Sequence, residues 1–199
     1  KKNPARMVGN IKYKKVKVDF WTLEEFQKVI SLLYKGDYYE HYLFICFWLL
    51  FTTGLRIGEA AALQWDDIDF ESGLLSVTKT LYYKSMNEYK FVDPKTSASI
   101  RTVVLDEDTI RELKDWREVQ KKVLKDCNFV LSYSGIPTSK HTLPRALEKL
   151  AGLAGVHRIK IHALRHSHVA LLISMGVNPL IVKDRCLLYT SDAADERSS

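Results

Sequence analysis

Apolar positions along the chain fall into blocks of helical period, one stretch of strand period, and helical blocks again. Thr22-Leu23-Glu24-Glu25 reads as a capping box, with Phe26, Val29, Ile30 and Leu33 on one face of the helix behind it. Residues 41–51, from His41 through Phe47-Trp48-Leu49-Leu50 to Phe51, are almost uninterruptedly apolar. The run is too short, and too closely flanked by polar residues, to span a bilayer, so it predicts a helix buried on every side. Gly54 predicts its end, because glycine takes the left-handed cap conformation without steric cost. Ala60-Ala61-Ala62-Leu63 predicts a short helix beyond the break, and Glu71-Ser72-Gly73 a turn.

The period then changes. Residues 74–83, 89–92 and 101–105 are rich in Val, Thr and Tyr and predict three strands, separated by a turn near 85–88 and by loop chemistry at Asp93-Pro94-Lys95-Thr96-Ser97. Asp106 caps an amphipathic helix running to about Val123, with Ile110, Leu113 and Trp116 on its inner face. Phe129 to Leu131 reads as short and extended, and residues 133–137 as a turn. Helices follow over 143–153, from about 161 to Gly176, and from Pro179 through Lys183. The expected fold is α+β and mainly helical, with helices packed around a small three-stranded antiparallel sheet. The aromatics Tyr38, Tyr39, Tyr42, Phe44, Phe47 and Trp48 have helical spacing and read as core, not as a base-stacking platform.

Composition narrows the class. At 199 residues and 46% hydrophobic, the chain is sized for one domain with a real core. A formal charge of +6 favours a polyanionic partner such as nucleic acid. Cys46, Cys127 and Cys186 are odd in number and lack metal-ligand spacing, which argues against a disulfide framework or zinc knuckle and fits a reducing cytoplasm. The chain opens on Lys1 with no apolar leader, as an internal piece of a longer protein would. Residues 1–19, where Lys12, Lys14, Lys15 and Lys17 alternate with apolar residues, read as a solvated linker or edge strand, or as an arm along phosphates.

Three basic groups stand out by setting: Arg56 at a helix break, Lys95 in a loop between strands, and Arg165 on a helix three residues after His162. The last spacing puts imidazole and guanidinium on one helix face. Two arginines and a lysine at one point would suit a phosphodiester, since guanidinium binds nonbridging oxygens in pairs and stabilises the charge of a pentacoordinate transition state. Spacing alone does not bring them together.

Three segments in order resemble the successive active-site blocks of the tyrosine recombinase, or phage integrase, family: Thr53-Gly54-Leu55-Arg56-Ile57-Gly58-Glu59, Pro94-Lys95-Thr96-Ser97 with Arg101, and His162-Ala163-Leu164-Arg165-His166. The resemblance implies a catalytic domain over residues 20–185 and a linker over 1–19 from a DNA-gripping domain that would close a clamp on the duplex. It implies that Arg56 and Arg165 bind the scissile phosphate, that His162 helps to stabilise it and handles protons, and that Lys95 protonates the departing 5′-hydroxyl. Glu59 would orient the Arg56 guanidinium. Arg101, Lys140 and Arg145 are the candidate DNA-binding residues. No metal or other cofactor is implied. The implied partner is double-stranded DNA, held in a tetrameric synaptic complex away from any membrane, in the cytoplasm of a bacterium as a bacterial or phage-encoded protein.

The resemblance stops after Arg185. A Leu-Gly-His block and a nucleophilic tyrosine should follow, yet Leu188 stands about where the histidine belongs and Arg197 about where the tyrosine belongs. Residues 186–199 therefore read as a foreign tail, and no nucleophile is identified; Tyr189 lies well before the expected position. The rival reading is a DNA-binding module without catalysis. A zinc site on His162 and His166 lacks the glutamate after the first histidine, which here is Ala163. The Gly-aromatic signature of the common RNA modules is also missing.

Overall fold

The computed structural model describes residues 19–85, 88–92, 100–139 and 141–186. Its centre is the apolar run. α2 (Tyr38–Thr53) is hydrophobic on all faces, and ten of its residues from His41 to Phe51, all but Trp48, are buried. Asp37 caps its start and Gly54, at φ 64°, ends it.

The other helices cover α2. α1 (Leu23–Ile30) has the expected Thr22 capping box and lays Phe26 flat on Phe51, with ring centroids 3.8 Å apart. α4 (Glu107–Val123) begins at the Asp106 cap and meets α2 where Trp48 Nε1 donates to Thr109 Oγ1 at 3.1 Å. α5 (Thr142–Ala154) and α6 (Ala163–Ser174) close the remaining sides, and α7 (Pro179–Cys186) packs on α6. Beyond Gly54, α3 (Ile57–Ala62) leads through a 3-10 turn at Trp65–Asp67 into the strands.

The strands form two sheets. β1 (Ile68–Asp69), β2 (Leu74–Val77) and β5 (Arg101–Val104) make an antiparallel sheet in the order β1-β2-β5, with Leu75 opposite both Ile68 and Val103. β3 (Thr80–Ser85) and β4 (Glu88–Val92) form a separate hairpin, with Leu81 opposite Phe91. The helix-rich architecture with a small three-stranded sheet is as expected, but its strand membership differs from the periodicity. Residues 74–83 do not run as one strand. Leu75 and Val77 point into the core, and the chain then bends at Thr78-Lys79, where Lys79 Nζ reaches Asp67 at 2.8 Å. The bend carries Thr80 beneath α3, so the second half of the segment pairs with β4 instead of β5.

One polar network ties the sheet side to α4. Gln120, 1% exposed, accepts from Trp65 Nε1 at 2.9 Å and donates through Nε2 to the carbonyls of Phe129 at 3.1 Å and Ser132 at 3.0 Å. Trp116 Nε1 adds a bond to Val130 O at 2.8 Å. Buried polar groups satisfied this completely fix the 128–132 segment against residues 63–65. Among the described residues no helix is long and apolar enough to cross a membrane.

Candidate phosphate-binding active site

The site begins at the end of α2. Because Gly54 turns the chain left-handed, the next residues leave the helix axis, and Leu55 is driven into the core at 1% exposure. Arg56 follows in extended backbone and becomes the N-cap of α3, its side chain a quarter exposed. It is thus held from below by a buried neighbour while its guanidinium reaches the surface.

Glu59 braces it. The carboxylate accepts from Arg56 N at 2.9 Å and from Arg56 Nη1 at 3.2 Å, the orienting role that the i,i+3 spacing suggests. It accepts equally from Arg101, whose Nη1 and Nη2 donate at 3.1 and 2.8 Å. Sequence reasoning missed this second partner. Arg101, read as a candidate DNA-contacting residue, has a side chain only 8% exposed and turns its guanidinium fork onto Glu59. Burial alone would raise the Glu59 carboxyl; the hydrogen bonds and charge of Arg101, and then those of Arg56, outweigh it and hold the group below its ordinary value. One ionised carboxylate among two arginines leaves the cluster positive, as an anion site requires.

α6 supplies the opposite wall. His162 is its N-cap and Arg165 lies in its first turn, buried at 1% exposure. Arg165 Nη1 donates to Gly54 O, two residues before Arg56 in the chain. That bond brings the two arginine-bearing segments, 109 residues apart in sequence, to one place. His162 meets His166 edge-on, with ring centroids 5.1 Å apart. Among the described residues no group of three or more His, Cys, Asp or Glu side chains is arranged to hold a metal ion. α6 is pinned from a third direction, since Trp21 N donates to Ser167 Oγ at 2.9 Å and Trp21 Nε1 donates to His157 O at 2.8 Å. No sequence signal marked Trp21 or Ser167, because both contacts span more than 130 residues.

Of the other candidates, Arg145 is exposed on α5, beside Lys149 and Tyr133 on a groove of about 1090 Å³. Lys95, Lys140 and Tyr189 lie outside the described residues, as do Leu188 and Arg197.

The Phage integrase family profile matches residues 20–186, nearly the whole described chain. The chain belongs to the phage integrase family. It is 32% identical over 193 residues to the ICEBs1 integrase of Bacillus subtilis (strain 168), covering 93% of this chain and 51% of that protein. It is 33% identical over 179 residues to a XerC-like tyrosine recombinase of Caldanaerobacter subterraneus subsp. tengcongensis, covering 80% of this chain and 44% of that one. This integrase-family chain therefore spans about half the length of those relatives. Its fold is shared by the Tn1549 transposon integrase, solved in complex with transposon right-end DNA, at a TM-score of 0.74 and 19% identity over 94% of this chain and 67% of that one. It is also shared by XerA recombinase, at a TM-score of 0.69 and 16% identity over 89% of this chain and 58% of that one.

Proposed function

We propose that this chain carries the catalytic domain of a site-specific DNA recombinase, the part that grips the phosphodiester at the point of strand exchange. The observation that carries the reading is the bond from Arg165 to Gly54 O, which sets a buried arginine beside the Glu59-braced Arg56. Two guanidinium groups there can bind the nonbridging oxygens of one phosphate and meet the extra charge of the pentacoordinate transition state. His162, at the positive end of α6, adds a donor or proton carrier on the same side.

The chemistry is phosphoryl transfer without a soluble energy source. A tyrosine oxygen attacks the phosphorus, a 3′-phosphotyrosyl bond forms, and the phosphorus–O5′ bond breaks. Lys95 delivers the proton that the departing 5′-oxygen takes up. Attack by the 5′-hydroxyl of a partner strand then reverses these steps, releasing the tyrosine and rejoining the DNA. The covalent link retains the phosphodiester energy, so no nucleotide triphosphate is needed. Relatives named integrase and tyrosine recombinase, and the DNA bound by the Tn1549 integrase, support double-stranded DNA as the substrate. In this reading the working unit is a tetramer on two duplexes in the cytoplasm, Arg101 serves Glu59, and Arg145 and Lys140 contact the DNA backbone. Residues 1–19 are the linker to a DNA-gripping domain and residues 186–199 a non-native tail.

The test uses the parent protein, with the sequence read afresh from source DNA beyond the codon for Arg185, on its own recombination site. Arg56→Ala and Arg165→Ala should each lower strand cleavage by at least about 10²-fold, the scale for losing one transition-state donor, while duplex affinity changes little. Normal cleavage by either variant would remove that arginine from the site. A source sequence that keeps the present stretch after Arg185, with no later tyrosine, would favour a DNA-binding module that does not cut.

A further inference from the structure

Among the described residues, two hydrogen bonds tie α6 to the end of α2. Arg165 Nη1 donates to Gly54 O, and one turn further along α6 the His168 ring meets Phe51 O through Nδ1 at 2.8 Å. A step of three residues along α6 is thus matched by a step of three in the opposite sense along the end of α2. Each step is a rise of about 4.5 Å. One bond from a guanidinium defines a point about which α6 could pivot or slide; two bonds a turn apart define a register.

His168 is suited to this. It is 2% exposed, and a carbonyl oxygen can only accept, so Nδ1 carries the proton and the tautomer is set. An imidazole buried among apolar side chains costs free energy unless it is hydrogen-bonded, whereas a phenylalanine of similar shape would not. Its acceptor belongs to the last turn of α2, where carbonyls lose their usual amide partners: at the Gly54 turn, Leu55 N donates to Thr53 Oγ1 instead. Nothing in the local sequence pattern points from residue 168 to residue 51.

We infer that His168 is a positioning residue of the recombination site: its Nδ1–H bond to Phe51 O fixes the register of α6 on α2, and so the spacing between Arg165 and Arg56. The inference rests on the recombinase reading above.

The experiment compares His168→Asn, which can present an N–H close to the Nδ1 position, with His168→Phe and His168→Leu, which remove it. In the parent protein on its recombination site, single-turnover cleavage at saturating DNA should fall about 10²-fold in the Phe and Leu variants, the scale for displacing a reacting group by about 1 Å. Their DNA affinity should stay within about twofold of wild type, because phosphate contacts across the whole interface dominate binding. His168→Asn should recover most of the rate. In the 199-residue chain, amide hydrogen exchange at Leu55 and Arg56 should quicken in the Phe variant and not in the Asn variant. Wild-type cleavage by His168→Phe overturns the inference, as does equal impairment of the Asn and Phe variants. If neither apolar variant folds, the Asn variant decides: a rate close to wild type supports the role, and a loss as large as that of Arg165→Ala overturns it. If Arg165→Ala is inactive while His168→Phe cuts normally, this inference alone fails. If Arg165→Ala itself cuts normally, the recombinase reading fails with it.

Discussion

At the scale of single residues, Glu59 is the most heavily committed group in the site. It is 7% exposed and serves the backbone and side chain of Arg56 together with both Nη atoms of Arg101. Removing one partner of a buried pair leaves uncompensated charge, so Glu59→Gln should lower unfolding free energy by about 3–5 kcal/mol at pH 7 in urea titrations. The pH dependence has a definite sign. The folded-state value lies below the ordinary 4.5, so the unfolded chain binds the proton more readily. The stabilisation is complete above pH 4.5 and disappears as pH falls toward the folded-state value. Acid unfolding should therefore begin at lower pH in Glu59→Gln, relative to its own neutral-pH stability, than in wild type. Half of this arrangement was legible in the sequence. Arg56 and Glu59 are three apart at a helix start, so local geometry brings them together; Arg101 comes 42 residues later and arrives only through the pairing of β2 with β5, which no local pattern encodes.

At the scale of elements, two glycines set the course of the backbone around Arg56. Gly54 sits at φ 64°, where a side chain costs roughly 1–2 kcal/mol, so Gly54→Ala should destabilise by about that amount and displace Arg56. Gly58 lets α3 lie against the hairpin: a Cβ there would stand 2.6 Å from Thr80 Oγ1. Gly58→Ala should cost about 1–3 kcal/mol and shift β3 away from α3, seen as altered amide chemical shifts over Thr80–Ser85. A third element-scale effect concerns the α2–α4 contact. His41 is 3% exposed between the rings of Phe44 and Trp116, and among the described residues neither ring nitrogen has a hydrogen-bond partner. Burial, then the charge of Lys35, lower its pKa against the opposing pull of Glu112 and Asp115 on α4. The folded state thus prefers the neutral ring, its stabilisation is full above the unfolded value near 6.5, and it declines below that by at most about 1.4 kcal/mol per pH unit. Urea titrations at pH 7.5 and 5.5 should show that His41→Phe loses less stability on acidification than wild type. The helices were readable in advance because caps and period-3.6 patterns are local, and Thr22, Asp106 and Gly54 mark their ends as expected. The split strand was not, since the bend at Lys79 is anchored on Asp67, twelve residues earlier, and no local pattern within 74–83 marks it.

At the scale of the whole molecule, a chain of net charge +6 with the proposed arginine site should bind duplex DNA with an affinity that falls linearly in log–log form with salt. Replacing Arg145, exposed on α5, by alanine should reduce the magnitude of that slope by about one if it neutralises a phosphate; an unchanged slope would place it off the DNA. Salt dependence holds for any DNA-binding protein and does not test whether the Arg56–Arg165 site serves strand cleavage through a protein-linked intermediate. The most direct measurement is to incubate the parent protein with a nicked copy of its recombination site, digest the product, and map any DNA-linked peptide by mass spectrometry. The expected product is a 3′-phosphate joined to a tyrosine beyond residue 186, formed by wild type and lost in Arg165→Ala. A 5′ linkage, attachment to another residue type, or cleavage leaving no covalent adduct would contradict it.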